Sequence, residues 1–241
     1  MPDIVLAAIN AKYIHTAFGL RYLLANLGDL RPRTELVEFD IQQRPSDIAE
    51  QILARQPRIL GLGVYIWNVA PATELVSIVK RLSPGAQVIL GGSEVSHEGD
   101  RQEITRLADH VIAGEADLKF AEVCRTLLHG GPVPPKHIDA GLPDLGRVEL
   151  PYDLYDERDV AHRIVYVEAS RGCPFSCEFC LSSLDIPVRQ FPLDRFLDAM
   201  QRLLDRGVNH FKFVDRTFNL NLRSEEHTSE LQSLAYLVCR L

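Results

Sequence analysis

The chain has 241 residues, enough for one large or two modest domains, and its 46% hydrophobic content is that of an ordinary globular protein. A net charge of −7 argues against a general nucleic-acid-binding surface, and no apolar run is long enough to cross a membrane. Five cysteines, three of them close together, fit a reducing compartment better than a disulfide framework. The start, M-P-D-I-V-L, lacks the basic n-region of a signal peptide, so a cytoplasmic protein with no membrane or DNA partner is expected.

From the first residue to 130, apolar runs alternate with amphipathic stretches. Ile4–Ile9 reads as a strand; Leu20, Leu23, Leu24 and Leu27 then recur at helical spacing. Glu35–Phe39 is a second strand, followed by a helix marked by Ile48, Ile52 and Leu53 with Ser46 as its N-cap. A third strand is expected over Ile59–Ile66. Pro71 suits the first turn of the next helix, whose inward stripe is Leu75, Ile78, Val79 and Leu82. Val88–Leu90 and Val111–Ala113 are the fourth and fifth strands, and Phe120, Val123, Cys124 and Leu127 give the last helix its apolar face.

This alternation predicts a doubly wound α/β domain with a parallel sheet over residues 1–130. Ligands of such sheets bind at the carboxyl ends of the strands, near the reversal in strand order. Asn10–His15, Tyr65–Asn68, Gly91–Ser96 and Gly114–Glu115 fall there. Gly91 and Gly92 have no side chains to keep a flat ligand from the backbone, or they make a simple tight turn. Trp67 either faces a ligand or packs in the core.

Residues 131–162 are dense in glycine and proline and are expected to be an irregular connector. A second domain starts at 163. Ile164–Val167 is a buried strand, broken by Arg171 and Gly172. Cys173, Cys177 and Cys180 follow with C-x3-C-x2-C spacing. Thiolates in one short loop suit a soft metal site, and three of them can hold three irons of a 4Fe–4S cluster, leaving the fourth open. Zinc is the alternative, but structural zinc wants four closed ligands, usually as two separated pairs. Val188, Arg189 and Phe191 read as extended. A helix beginning at Leu193 presents Phe196, Ala199, Met200, Leu203 and Leu204, with Gly207 just past its end. His210–Val214 is the next strand, ending in Asp215-Arg216-Thr217-Phe218-Asn219.

The three cysteines directly after a strand resemble the signature of the radical S-adenosylmethionine (SAM) superfamily, and the domain before them resembles the cobalamin-binding domain of its B12-dependent members. Within these, the chain is similar to a subfamily with N-A-K-Y-I-H-T near the start (Asn10–Thr16) and F-V-D-R-T-F-N after the cysteines (Phe213–Asn219). Y-I-W-N at 65–68, L-G-G-S-E-V-S at 90–96 and G-E-A-D at 114–117 match it too. The resemblance covers nearly all of residues 1–222. It implies that residues 163–222 begin a partial TIM barrel and that Cys173, Cys177 and Cys180 hold a 4Fe–4S cluster. The open iron would chelate SAM, which one electron, from a donor such as flavodoxin or ferredoxin, cleaves to methionine and a 5′-deoxyadenosyl radical. Phe179 would pack by the adenine, and Asp215 and Arg216 would contact SAM; for these two the alternative is a strand-end cap and a solvated side chain.

By the same resemblance, cobalamin would lie against Asn10, Tyr13, Tyr65, Trp67, Gly91, Gly92, Ser93, Gly114 and Glu115. Domains that ligate cobalt through histidine carry D-x-H-x-x-G. Here Tyr13 stands in place of the Asp before His15, and Gly19 comes too late, so cobalamin is expected without histidine ligation. The implied activity is methyl transfer or rearrangement. Two alternatives are a cobalamin-binding module without catalysis and a methylthiotransferase-like RNA-modifying enzyme. The latter's N-terminal domain would bring three cysteines of its own, whereas residues 1–130 hold only Cys124.

Arg223–Ser233, R-S-E-E-H-T-S-E-L-Q-S, resembles the translation of a common sequencing-library adapter. Residues 223–241, Cys239 included, are therefore read as a non-native tail. With about two βα units in place of the roughly six of such a barrel, the chain is expected to be an inactive fragment of its parent.

Overall fold

The central strand of the first sheet is built from I-V-L-A-A-I-N. Ile4–Asn10 forms β1, buried along its whole length. Its side chains alternate between two core layers, as the period of a strand requires. Val5, Ala7 and Ile9 join one; Ile4, Leu6 and Ala8 join the other. A strand buried on both faces belongs inside a parallel sheet with helices on each side.

The computed structural model describes residues 1–97, 102–180 and 187–216, and the chain divides into two units, Met1–Asp144 and Leu145–Leu241. In the first, β1 is followed by α1 (Phe18–Ala25), β2 (Thr34–Asp40), α2 (Pro45–Leu53), β3 (Ile59–Gly63) and α3 (Val69–Leu82). Then come β4 (Gln87–Gly91), α4 (Ser93–Ser96), α5 (Glu103–Leu107), β5 (His110–Ala113), α6 (Lys119–His129) and β6 (His137–Asp139). The sheet has the order β2-β1-β3-β4-β5-β6, all pairs parallel. This is the doubly wound architecture, with the strand order reversing between β1 and β3.

One core layer takes Ile48 and Ile52 from α2 and Leu75, Val76 and Val79 from α3; the other takes Leu20 from α1 and Phe120, Val123 and Cys124 from α6. Each such fully buried aliphatic or aromatic side chain contributes about 1.5–3 kcal/mol relative to exposure. Gly61 permits the close seating of α6: a Cβ there would lie 2.8 Å from the Leu6 side chain and 3.0 Å from the Phe120 ring.

Three expectations are corrected. The third strand ends at Gly63, not Ile66, because the Asn68 side chain draws the chain into a turn by accepting from the Tyr65 N–H at 2.8 Å. The N-cap of α2 is Arg44, not Ser46. Pro45 occupies the first helical position, where its missing N–H costs nothing. The stretch read as irregular connector contributes the short β6, whose residues 137–139 pair with 111–113 of β5, and two helical turns described next.

The second unit opens with a 3-10 turn (Tyr152–Leu154) and α7 (Glu157–His162). Asp156 and Asp159 cap α7 reciprocally: the Asp159 N–H donates to Asp156 at 2.8 Å, and the Asp156 N–H donates to Asp159 at 3.3 Å. Next come β7 (Val165–Val167), β8 (Ser170–Arg171), β9 (Arg189–Gln190), α8 (Leu193–Asp205) and β10 (Phe211–Phe213). β7 and β10 are parallel and joined through α8, the repeat from which αβ barrels are built. α8 buries Phe196, Ala199, Met200 and Leu203, with the Phe196 ring against Tyr152 and Phe213. Gly207 ends the helix at φ +91°, its N–H donating to the Leu204 carbonyl.

Two tyrosines occupy the edge of β7 away from β10. The Tyr155 hydroxyl donates to the Tyr166 carbonyl (2.8 Å) and accepts its N–H (3.1 Å). The Tyr152 hydroxyl does the same at Glu168, at 3.0 and 3.1 Å. Side chains thus satisfy the backbone groups that a neighbouring strand would otherwise take. Residues 181–183 of the cysteine stretch, Thr217–Asn219 of the F-V-D-R-T-F-N motif and the tail 223–241 with Cys239 lie outside the described residues.

Candidate functional site

At the carboxyl end of β1, the Asn10 amide faces inward. Its Nδ2 donates to the His15 carbonyl (3.0 Å) and to Glu38 Oε2 (2.9 Å). Glu38 also accepts the Ala17 N–H at 3.3 Å and pairs with Arg21. The Glu38 and Arg21 side chains are only 12% and 5% exposed, so this is a buried ion pair with further hydrogen bonds. Asn10 and Glu38 together hold the loop that presents Tyr13 and Ile14 to solvent, with His15 half-buried behind them.

The loop after β3 is fastened across the strand-order reversal. Asn68 Nδ2 donates to the carbonyls of Ile9 (3.0 Å) and Gly63 (3.1 Å). The Trp67 indole N–H also donates to the Ile9 carbonyl, at 3.3 Å. Tyr65 stacks on Trp67 with ring centroids 4.7 Å apart and planes 9° apart. Burial pushes the Tyr65 phenol above its ordinary range. Trp67 nevertheless stays 46% exposed, so of its two expected roles core packing is not the one the fold assigns.

Gly91 and Gly92 differ. At Gly91 a side chain would have room, 3.7 Å from the nearest backbone atom, the Ile112 carbonyl oxygen. Gly92 has φ +106°, and a Cβ there would stand 2.3 Å from the Val64 carbonyl oxygen. Its bare Cα is required by its own chain, apart from anything a ligand demands. Ser93 begins α4 and is exposed. Gly114 and Glu115 lie against the turn after β6: Gly114 has φ +84°, and the Glu115 N–H donates to the Gly141 carbonyl at 3.4 Å.

Sequence reasoning placed Ile14 and Ile66 within the stretches at this edge, but it missed Ile41 and the exposure of all three. Ile14, Ile41 and Ile66 are exposed beside Tyr13 and Trp67, on the loops after β1, β2 and β3. Large apolar side chains on three neighbouring loops at a switch point form a surface suited to a broad, flat, mostly apolar ligand. Exposed isoleucine in a loop leaves no periodic signal; only the sheet order reveals that the three loops adjoin.

In the second unit, Cys173, Cys177 and Cys180 share the loop after β8 and are thiols, not disulfide partners. Cys177 is exposed, while Cys173 and Cys180 are half-buried. The Cys180 N–H donates to the Cys177 carbonyl at 3.1 Å, making the turn on which Phe179 stands 96% exposed. Among the described residues, no three His, Cys, Asp or Glu side chains are gathered closely enough to hold a metal ion. The donor set, three thiols within one short loop, fits an iron–sulfur cluster. Cys124 is no candidate for a further ligand: it is buried in α6, and burial pushes its thiol up to about 12.

The base of this loop is held on two sides. β8 pairs antiparallel with β9, Ser170 opposite Gln190 and Arg171 opposite Arg189. On the other side the Asp215 carboxylate accepts the Ala169 N–H (3.1 Å), the Ser170 N–H (2.7 Å) and the Ser170 hydroxyl (2.7 Å). Burial raises the Asp215 carboxyl above the usual carboxylate range, the hydrogen bonds it accepts working the other way. Arg171 pairs with Glu168 at 2.7 Å and lies over the Phe191 ring. Arg216 is exposed.

Comparison with known proteins gives two curated relatives and one solved structure of similar fold. The chain is 29% identical over 203 residues to an uncharacterised methyltransferase of Pyrococcus horikoshii, covering 73% of this chain and 43% of that protein. It is 27% identical over 198 residues to the cobalamin-dependent radical SAM methyltransferase TokK of Streptomyces tokunonensis, covering 71% and 29%. The chain therefore spans less than half the length of these curated relatives. Among solved structures, the radical SAM methyltransferase TsrM of Kitasatospora setae, with cobalamin and an iron–sulfur cluster bound, aligns over 96% of this chain and 51% of its own, with TM-score 0.70 and 17% identity. That likeness speaks for the fold alone. The model of the B12 binding domain matches residues 4–124, half of the chain, and the protein belongs to that family.

Proposed function

We propose that this chain is part of a cobalamin-dependent radical SAM methyltransferase, of the subfamily marked by N-A-K-Y-I-H-T and F-V-D-R-T-F-N. The observation that carries the reading is the pairing of a B12-binding domain with a downstream loop whose three thiols have cluster spacing. Its relatives named as methyltransferases favour methyl transfer over rearrangement.

In this reading the first unit binds cobalamin on the exposed apolar edge formed by Tyr13, Ile14, Ile41, Ile66 and Trp67. Asn10, Glu38 and Asn68 keep that edge in shape. The Trp67 face is available to a corrin because the Ile9 carbonyl anchors the indole N–H from behind. No histidine is required as a cobalt ligand. In the second unit, Cys173, Cys177 and Cys180 hold a 4Fe–4S cluster, Phe179 packs by the adenine of SAM, and Arg216 reaches the SAM carboxylate as a bidentate donor. When bound, these cofactors supply the reductive cleavage of SAM and the transfer of a methyl group. A flavodoxin or ferredoxin would provide the electron, in the cytoplasm.

The test is anaerobic reconstitution with ferrous iron, sulfide, hydroxocobalamin and SAM, followed by reduction with dithionite. SAM turnover to 5′-deoxyadenosine or S-adenosylhomocysteine by a longer chain that includes the remaining barrel supports the reading. A reconstituted longer chain that leaves SAM intact defeats it.

A further inference from the structure

We propose that Asp215 is a positioning residue for the thiol loop: its carboxylate, at the end of β10, fixes the backbone from which the loop departs. This rests on the reading of Cys173, Cys177 and Cys180 as cluster ligands, and it differs from the direct contact with SAM that resemblance suggests for the same residue.

The geometry is specific. Both Asp215 oxygens lie 3.1 Å from the Ala169 N–H, and Oδ1 also takes the Ser170 N–H and the Ser170 hydroxyl at 2.7 Å each. All three donors lie just upstream of Cys173. On the opposite side, the Phe191 N–H donates to the Ala169 carbonyl at 3.0 Å, and β9 pairs with Ser170 and Arg171. Behind them, the Tyr152 hydroxyl holds both backbone groups of Glu168, and the Glu168 carboxylate holds Arg171. Residues 168–171 are thus tied from both sides, and Asp215 is the anchor that comes from just past β10. Its oxygens face these donors, which leaves it a poor candidate for a primary ammonium ligand and a good one for setting where the first thiolate stands. Chelated clusters depend on such outer contacts: losing one typically weakens metal retention by an order of magnitude or more.

The test uses the 241-residue chain, reconstituted anaerobically with ferrous iron and sulfide, desalted and challenged with EDTA, with no SAM present. Wild type is compared with Asp215→Asn, Ser170→Ala and Met200→Ala. The asparagine turns an NH2 donor toward the Ala169 or Ser170 N–H. Ser170→Ala removes one donor and leaves the fold. Met200→Ala lowers the stability of the same unit from α8, away from the loop. The expected result is about tenfold faster iron loss in Asp215→Asn, a smaller loss in Ser170→Ala, and wild-type retention in Met200→Ala despite its lower Tm. The residual cluster in Asp215→Asn should also show an altered EPR spectrum after reduction.

Two results overturn the proposal. If Asp215→Asn keeps its iron and its EPR spectrum, the positioning role is refuted and the cluster reading survives; loss of the spectral change that SAM, added in a second step, induces in wild type then makes Asp215 a SAM ligand. If wild type itself takes up no iron, the cluster reading falls and the positioning role falls with it. Should Asp215→Asn fail to fold, Ser170→Ala decides by the same criterion: iron retention and EPR spectrum equal to wild type refute the role.

Discussion

At Gly92 the backbone, with φ +106°, would bring any Cβ to 2.3 Å from the Val64 carbonyl oxygen. Alanine there meets both left-handed strain and a clash with main chain that cannot swing away. Gly92→Ala should therefore lower stability by about 2–5 kcal/mol, read by urea unfolding, while Gly91→Ala, with 3.7 Å of room, should cost much less. Equal effects at the two positions would refute the distinction. Cys124 offers a second residue-scale test. Its thiol is pushed from 9.0 up to about 12 by burial. The folded state keeps that proton, so nothing is lost below about 9, and stability falls as pH rises from about 9 toward 12 because only the unfolded chain ionises. At pH 8, iodoacetamide should modify exposed Cys177 and spare Cys124 in the folded chain; mass spectrometry of the alkylated peptides checks this. In the sequence Gly91 and Gly92 look alike, because the difference between them lies in which one crosses the chain at Val64.

Elements here are held by a few polar side chains as much as by apolar faces. The buried Glu38–Arg21 pair joins β2 to α1 and, through Asn10, shapes the loop after β1. Glu38→Ala should cost about 3–5 kcal/mol, since it leaves the Arg21 guanidinium buried without its counter-charge. The edge of β7 makes a parallel case. Tyr152→Phe and Tyr155→Phe each leave the N–H and carbonyl of one residue, Glu168 just past β7 and Tyr166 within it, without their hydroxyl partner, and each should destabilise the second unit by about 1–3 kcal/mol with little change in packing. Thermal melts of the two variants check this; wild-type Tm values would contradict it. The strands and long helices of the first unit were legible because β1 is a continuous apolar run and the apolar residues of α3 recur at a period of 3.6. β6 was not, because it is three residues long with Ile138 its one large apolar residue, and it exists only because β5 offers an edge. Tyr152 and Tyr155 gave no signal either: their hydroxyls matter for where β7 lies in space, not for any local pattern.

At the scale of the whole chain, the sequence carried the chemistry further than the geometry. The proposed soft-metal site is read from three cysteines on one loop without any knowledge of the fold, because ligand spacing is local. The edge proposed for cobalamin is different. Its apolar residues come from three loops, after β1, β2 and β3, and only the sheet order β2-β1-β3 sets them side by side. The two cofactor sites then make one joint claim, which metal content tests directly. The chain is incubated anaerobically with hydroxocobalamin, ferrous iron and sulfide, passed through a desalting column, and analysed for cobalt, iron and zinc. The expected result is about one cobalt and about four irons per chain, the latter with matching labile sulfide. Zinc in place of iron, together with cobalt lost on the column, would contradict it.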